Sequence, residues 1–180
     1  MEVTVRELKT LSAFASKDEW RANINAPWYN PENQTLCATD SYTAVCMQCP
    51  SSGTEPWHVN LEALKRYAPG VSFYLPDSTV CEPWPSEKTT KRIAPATLER
   101  IRNRFPFNNP PESGTRAINP EYLRRLGDLC KAWNLIPEIG TDSRGALYAE
   151  LHGNDGTLKK PSTRKDVYGW ALIMPVGISK

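Results

Sequence analysis

The sequence predicts an α+β domain in which an antiparallel sheet carries its helices packed on one face. Three observations point there. Segments of helical periodicity stand beside runs of strands instead of alternating with them one by one. The order helix, then strands, occurs in the first third and again in the last. Between them lies a stretch set apart by proline, since 8 of the 16 prolines fall between positions 76 and 120. A chain of 180 residues with 39% apolar content can bury a core without help from disulfides. The expectation is one domain over 1–180 with a Pro-rich insertion at about 76–117.

In the segment "VRELKTLSAFASKDEWRANI", Leu8, Leu11, Phe14 and Ala15 recur at spacings of three and four, which predicts an amphipathic helix. The prolines and asparagines of "APWYNPENQ" end that periodicity. "TLCATD" and "YTAVCMQC" then read as two strands around a polar turn at Asp40 and Ser41, whose side chains bond nearby backbone N–H groups. Further on, "WHVNLEALKRYAPG" predicts a short helix with Asn60 as N-cap and Pro69-Gly70 as its stop, and "VSFYL" predicts a strand. A long structureless loop is uncommon in a compact domain, so "PATLERIRNRF" is expected to be helical within the Pro-rich stretch. The strongest helix signal is "INPEYLRRLGDLCKAW", with Asn119 as N-cap, Pro120 at the first position and Glu121 where the helix dipole favours an acid. At about 100° per residue, Tyr122, Leu123, Leu126, Leu129, Cys130 and Trp133 share one face, and Arg124, Arg125, Asp128 and Lys131 the opposite one. "GALYAELHG" and "VYGWALIMPV" follow as strands, separated by a charged loop.

Several function classes are disfavoured. The five cysteines are odd in number, so a disulfide framework is not expected, and Cys46-x-x-Cys49 lacks a second ligand pair for zinc. The thiols read as packing atoms. Neither a Gly-rich phosphate loop nor a nucleophile in a recognisable setting occurs, and His58 and His152 stand alone. No catalytic residue, metal or cofactor is therefore expected. No apolar run approaches the roughly 20 residues that span a bilayer. The opening "MEVTVRELKT" lacks the basic start and apolar block of a secretory signal, so a cytoplasmic, membrane-free protein is expected. Trp133 and Trp170 sit in apolar patterns and read as core, whereas Trp84 lies between two prolines and anchors its loop or meets a partner. Charge is uneven. Residues 1–90 hold 7 Lys and Arg against 11 Asp and Glu, net −4; residues 91–180 hold 15 against 9, net +6. Such a division suits either an anionic polymer or head-to-tail docking of copies.

Two motifs carry a resemblance. "LCATDSYTAV" resembles the L-x-A-T-D-G-H-R-L-A hairpin of bacterial sliding clamps, the beta subunits of DNA polymerase III, and "WALIMPVGIS" resembles their last strand, which ends in Met-Pro. The two strongest helices also stand where a clamp domain has its own. The resemblance implies a DNA-clamp-like domain. Clamps are non-catalytic rings of six such domains, with helices lining a hole that holds duplex DNA. Their partners insert a short peptide into a groove where the turn of one domain faces the Met-Pro tail of the next. Carried over, the groove positions are Thr39, Asp40, Ser41, Tyr42, Thr43 and Ala44 on one side and Met174, Pro175 and Val176 on the other. DNA phosphates would be met by Arg124, Arg125 and Lys131, by Arg100, Arg102 and Arg104, and by Lys65 and Arg66.

The departures are as informative. Ser41, Tyr42 and Thr43 replace Gly-His-Arg, and Gly177 stands where a basic residue is usual. Clamp chains hold three domains, whereas this one has room for about one. The resemblance thus implies a replication and processivity accessory protein whose partners are duplex DNA and a DNA polymerase or other replication and repair proteins. Head-to-tail association of copies would rebuild the groove. The other reading is a protein-interaction module of the same fold that leaves DNA alone, a regulator or decoy of replication proteins.

Overall fold

The computed structural model describes residues 1–18, 20–21, 24–50, 53–84, 118–141, 145–154 and 167–175. A short strand β1 (Glu2–Thr4) leads into helix α1 (Val5–Ser12) through a capping box. Glu7 N–H donates to Thr4 Oγ1 at 3.2 Å while the Glu7 carboxylate accepts from Thr4 N–H at 2.6 Å, so two otherwise orphaned donors are satisfied. The periodicity predicted a helix of some five turns. It ends at Ser12 because local bonds compete with it. The Ser12 hydroxyl bonds the Leu8 carbonyl at 2.7 Å, Phe14 N–H turns back three residues to Leu11, and Asp18 Oδ1 takes the Trp20 N–H at 3.0 Å. Phe14 and Ala15 stay buried, but Trp20 is left 96% exposed on a loop.

Among the described residues eight strands form one antiparallel sheet in the order β7-β5-β2-β3-β4-β10-β9-β8. They are β2 (Trp28–Asn30), β3 (Thr35–Thr39), β4 (Thr43–Gln48), β5 (Trp57–Val59), β7 (Cys81–Pro83), β8 (Leu135–Thr141), β9 (Leu147–Gly153) and β10 (Val167–Ile173). Strand β6 (Ser72–Tyr74) pairs with β1 apart from them. Helix α2 (Leu61–Leu64) is capped by Asn60, and helix α3 (Pro120–Ala132) by Asn119 with Pro120 in its first turn, as the sequence predicts, but α2 stops at Leu64 and not at Pro69-Gly70. After α3, Asn134 takes φ 51, the left-handed conformation that stops a helix and that asparagine tolerates.

Five strands were not foreseen: β1, β2, β5, β7 and β8. β8 begins straight after that stop, and its Pro137 and Gly140 conceal it; proline is tolerated because β8 is an edge strand. β7 lies inside the stretch expected to be an insertion, yet it pairs with β5, so residues 76–84 belong to the body of the fold. The helix expected at "PATLERIRNRF" lies outside the described residues.

The sheet is two halves, β7-β5-β2-β3-β4 and β10-β9-β8, joined by the β4–β10 ladder from Thr43↔Ile173 to Met47↔Gly169. On one face α1, the turn that follows it and α3 bring Leu8, Leu11, Phe14, Leu126 and Leu129 down on Tyr29, Leu36, Val45, Met47, Leu151 and Ile173. The opposite face buries Trp28, Cys37, Cys46, Tyr148, Trp170 and Leu172, with Trp84 packed against them. Trp84 lies edge-on to Trp28 at 6.2 Å, which places this tryptophan as an anchor. With both faces covered, no alternation of buried and exposed positions runs along the central strands β3 and β4.

The cysteine expectation is corrected. Antiparallel register sets Cys37 opposite Cys46 with Cα atoms 4.2 Å apart, and the two form a disulfide across the hairpin. Pairing of this kind depends on register, which no count of cysteines contains. Cys49, Cys81 and Cys130 are buried and take no part in this disulfide. Burial pushes the Cys81 and Cys130 thiols up to about 11, so both stay protonated at neutral pH and pack as small apolar groups. No helix among the described residues is long and apolar enough to cross a membrane.

Candidate functional site

The hairpin between β3 and β4 turns at residues 40–42, and one carboxylate organises it. Asp40 Oδ1 accepts from Tyr42 N–H at 2.9 Å, Thr43 N–H at 2.8 Å and the Thr43 hydroxyl at 2.9 Å. Thr39 Oγ1 accepts the Ser41 N–H at 3.1 Å and donates to the Thr43 carbonyl. Ser41 sits at φ 81, in the left-handed region that costs an ordinary residue about 1–2 kcal/mol. Glycine stands at this place in the clamp motif, and the backbone explains it. In this chain Arg21 Nη1 donates to Ser41 Oγ at 2.9 Å and helps hold the strained residue. Ser41→Gly is expected to raise stability by about 1 kcal/mol, read as a higher urea midpoint at unchanged m-value.

The last described residues lie beside this turn. Ile173 pairs with Thr43, and Met174 N–H donates to the Tyr42 carbonyl at 2.8 Å. The resemblance implied that turn and tail would come from neighbouring domains. They come together here within one chain, because β4 and β10 are adjacent interior strands. No second copy is needed to bring them together. The seam is flanked by exposed apolar side chains, Tyr42 at 59% and Met174 at 39%. Thr39, Thr43 and Ala44 are buried beneath it, and Pro175 follows Met174. Val176 lies outside the described residues.

The basic residues divide differently from the sequence expectation. Arg125 does not face solvent with Arg124. Its side chain is 16% exposed and turns towards the hairpin, where Nη1 bonds the Ala13 carbonyl at 2.9 Å and approaches Asp40 Oδ2 at 3.4 Å. Arg124 is 63% exposed but lies between two carboxylates, Glu121 at 2.8 Å and Asp128 at 2.6 Å. Hydrogen bonds from Arg124 first, and then Arg125, hold the Glu121 carboxyl down at about 2, against 4.5. The outer face of α3 is therefore a row of paired charges, because acids stand at i−3 and i+4 from Arg124. Lys65 is paired with Glu62 at 2.5 Å. Arg66 and Lys131 are exposed. Arg100, Arg102 and Arg104 lie outside the described residues.

Sequence reasoning missed two groups at the seam. Arg21, with exposed Trp20 before it, reaches the turn only because α1 stops early, and Ser12, Ser16 and Asp18 were the available signal for that stop. Arg125 was assigned by helical angle alone, which does not say what covers a face. Among the described residues no group of three or more His, Cys, Asp or Glu could hold a metal ion.

No protein-family profile and no curated protein sequence matches the chain. Among solved structures the chain is similar to the DNA polymerase III beta chain of Streptococcus pneumoniae, at 16% identity and a TM-score of 0.50, covering 99% of this chain and 64% of that one. It is similar also to DNA polymerase III subunit beta of Borrelia burgdorferi, solved in complex with a natural product, at 13% identity and a TM-score of 0.50, covering 99% and 63%. The chain thus spans less than two thirds of the length of either. The fold is that of a DNA-clamp-like α+β domain, with its helices on one face of an antiparallel sheet.

Proposed function

We propose that this chain, having the fold of a sliding clamp, is a non-catalytic accessory protein of DNA replication that captures short peptides of partner proteins, a polymerase or a repair protein, at the seam between turn 40–43 and tail 174–175. The observation that carries the reading is the Met174 N–H to Tyr42 carbonyl bond, which unites turn and tail in one chain and leaves Tyr42 and Met174 exposed for an apolar peptide side chain. Capture is then a property of the monomer, with one peptide per chain. The test is fluorescence anisotropy with a labelled peptide from the clamp-docking segment of a bacterial DNA polymerase. Met174→Ala is expected to weaken binding about tenfold, the loss of one exposed apolar anchor. A wild-type chain that ignores the peptide, or a variant that binds it equally well, counts against the seam.

Duplex DNA is the second partner in this reading, met through Arg66 and Lys131 and through Arg100, Arg102 and Arg104. The pairing of Arg124 with Glu121 and Asp128 favours a second reading, an interaction module that leaves DNA alone and competes for replication proteins. Phosphate contact of the first kind falls steeply with salt. Duplex binding at low salt that vanishes as salt rises supports the accessory factor, and no binding even at low salt supports the module.

A further inference from the structure

We propose that Arg125 is a positioning residue for the docking turn, fixing residues 40–43 in the shape that meets a partner; the functional half of this rests on the seam reading above. Asp40 divides its two oxygens. Oδ1 serves the three donors of the turn, and Oδ2 faces Arg125. The guanidinium in turn reaches three separate segments: Asp40 in the hairpin, the Ala13 carbonyl just past α1, and Glu121 Oε1 one turn back on α3 at 3.3 Å. It also lies 5.2 Å from the Tyr122 ring centroid. A planar fork that is always charged can bond in several directions at once, which a lysine ammonium on a flexible stem does poorly. Both partners of the ion pair are largely covered, Arg125 at 16% and Asp40 at 15%, so water screens it less than the exposed pairs of Arg124.

The consequence is mechanical. A turn with a left-handed serine at its tip would ordinarily fray. Here its organising carboxylate is tied to the α1–α3 pair, so the turn takes its position from two packed helices and the Tyr42 carbonyl is held where Met174 N–H needs it. Arg124, one residue earlier on the same helix, makes no such tie and serves as the control.

The test reads the turn directly. Tyr42 and Thr43 amide protons both go to Asp40 Oδ1, and their hydrogen exchange is followed by NMR beside that of β9 amides, with the labelled polymerase peptide titrated in parallel. Arg125→Met keeps the aliphatic bulk. It is expected to speed exchange at Tyr42 and Thr43 about tenfold while β9 is unchanged, and to weaken the peptide by a similar factor. Arg125→Lys should restore part of both, and Arg124→Met should move neither. Asp40→Asn keeps a carbonyl oxygen for the turn and loses the anion, so it should show the same pattern even where Arg125→Met fails to fold. Unchanged exchange at Tyr42 and Thr43 in Arg125→Met or Asp40→Asn overturns the positioning role, whatever the peptide does. A wild-type chain that does not bind the peptide removes the docking reading alone, and the exchange data then still decide what Arg125 does.

Discussion

Gly169→Ala is expected to cost about 3 kcal/mol or more, a large share of the 5–15 kcal/mol that separates a typical domain from its unfolded state. Gly169 lies in β10 opposite Met47 of β4, on the face covered by α1 and α3. A Cβ there would strike the Cys46 carbonyl oxygen and would stand 2.8 Å from Met47 Sδ and 3.1 Å from Met47 Cα. The thioether can swing aside, but the carbonyl and the Cα are backbone of the central ladder, so β4 and β10 must separate for the methyl group to fit. The same ladder runs on to Thr43↔Ile173 and the Met174 to Tyr42 bond, so the damage extends to the seam. Urea unfolding monitored by tryptophan fluorescence should show the loss as a lower midpoint, and peptide binding should fall with it. A variant as stable as the parent would mean that the two halves of the sheet do not meet as described.

Leu129→Ala should cost 2–5 kcal/mol by opening a cavity where α3 meets α1 and the sheet. Leu129 is fully buried in the same cluster as Leu8 and Leu11, and its neighbours are held by two helices and a sheet that cannot collapse independently. For a chain of this length each kcal/mol is worth about 2–4 °C of melting temperature. Thermal unfolding followed by circular dichroism is therefore expected to drop by roughly 4–20 °C. Gly127→Ala, two residues away on the exposed side of α3, supplies the opposite sign. Its added Cβ meets nothing within 4 Å, and alanine favours a helix interior over glycine by about 1 kcal/mol. If both variants moved in the same direction, the assignment of the two faces of α3 would be wrong.

Much of this architecture was legible because it is written locally. Asn60 and Asn119 announce helix starts through their own side chains, and Leu126, Leu129 and Cys130 mark the buried stripe of α3 by spacing alone. The hairpin around Asp40 and the strand ending at Met174 were legible for the same reason. What stayed hidden depends on partners distant in sequence. Cys37 and Cys46 pair only once register is known, and β8 is a strand because β9 accepts it, despite Pro137. Arg125 shows the limit most sharply. Its helical angle put it with Arg124, and only the approach of Asp40, 85 positions earlier, turns it from a surface cation into a tie between helix and hairpin. At the seam, the residue types were readable, but the meeting of turn and tail within one chain was not.

The β4–β10 ladder also bears on how the molecule assembles itself. Thr43 and Ile173 stand 130 positions apart, so joining them closes a long loop, whose entropy is lost before any contact repays it. Folding dominated by such distant pairs is slow, on the scale of milliseconds to seconds. The ladder is also the only sheet pairing between the two halves among the described residues, so a polypeptide cut between β7 and α3 would become two fragments that recognise each other through β4 and β10. Partner capture would then report their reunion, and the fold would serve as a split reporter whose signal requires both pieces to be present together.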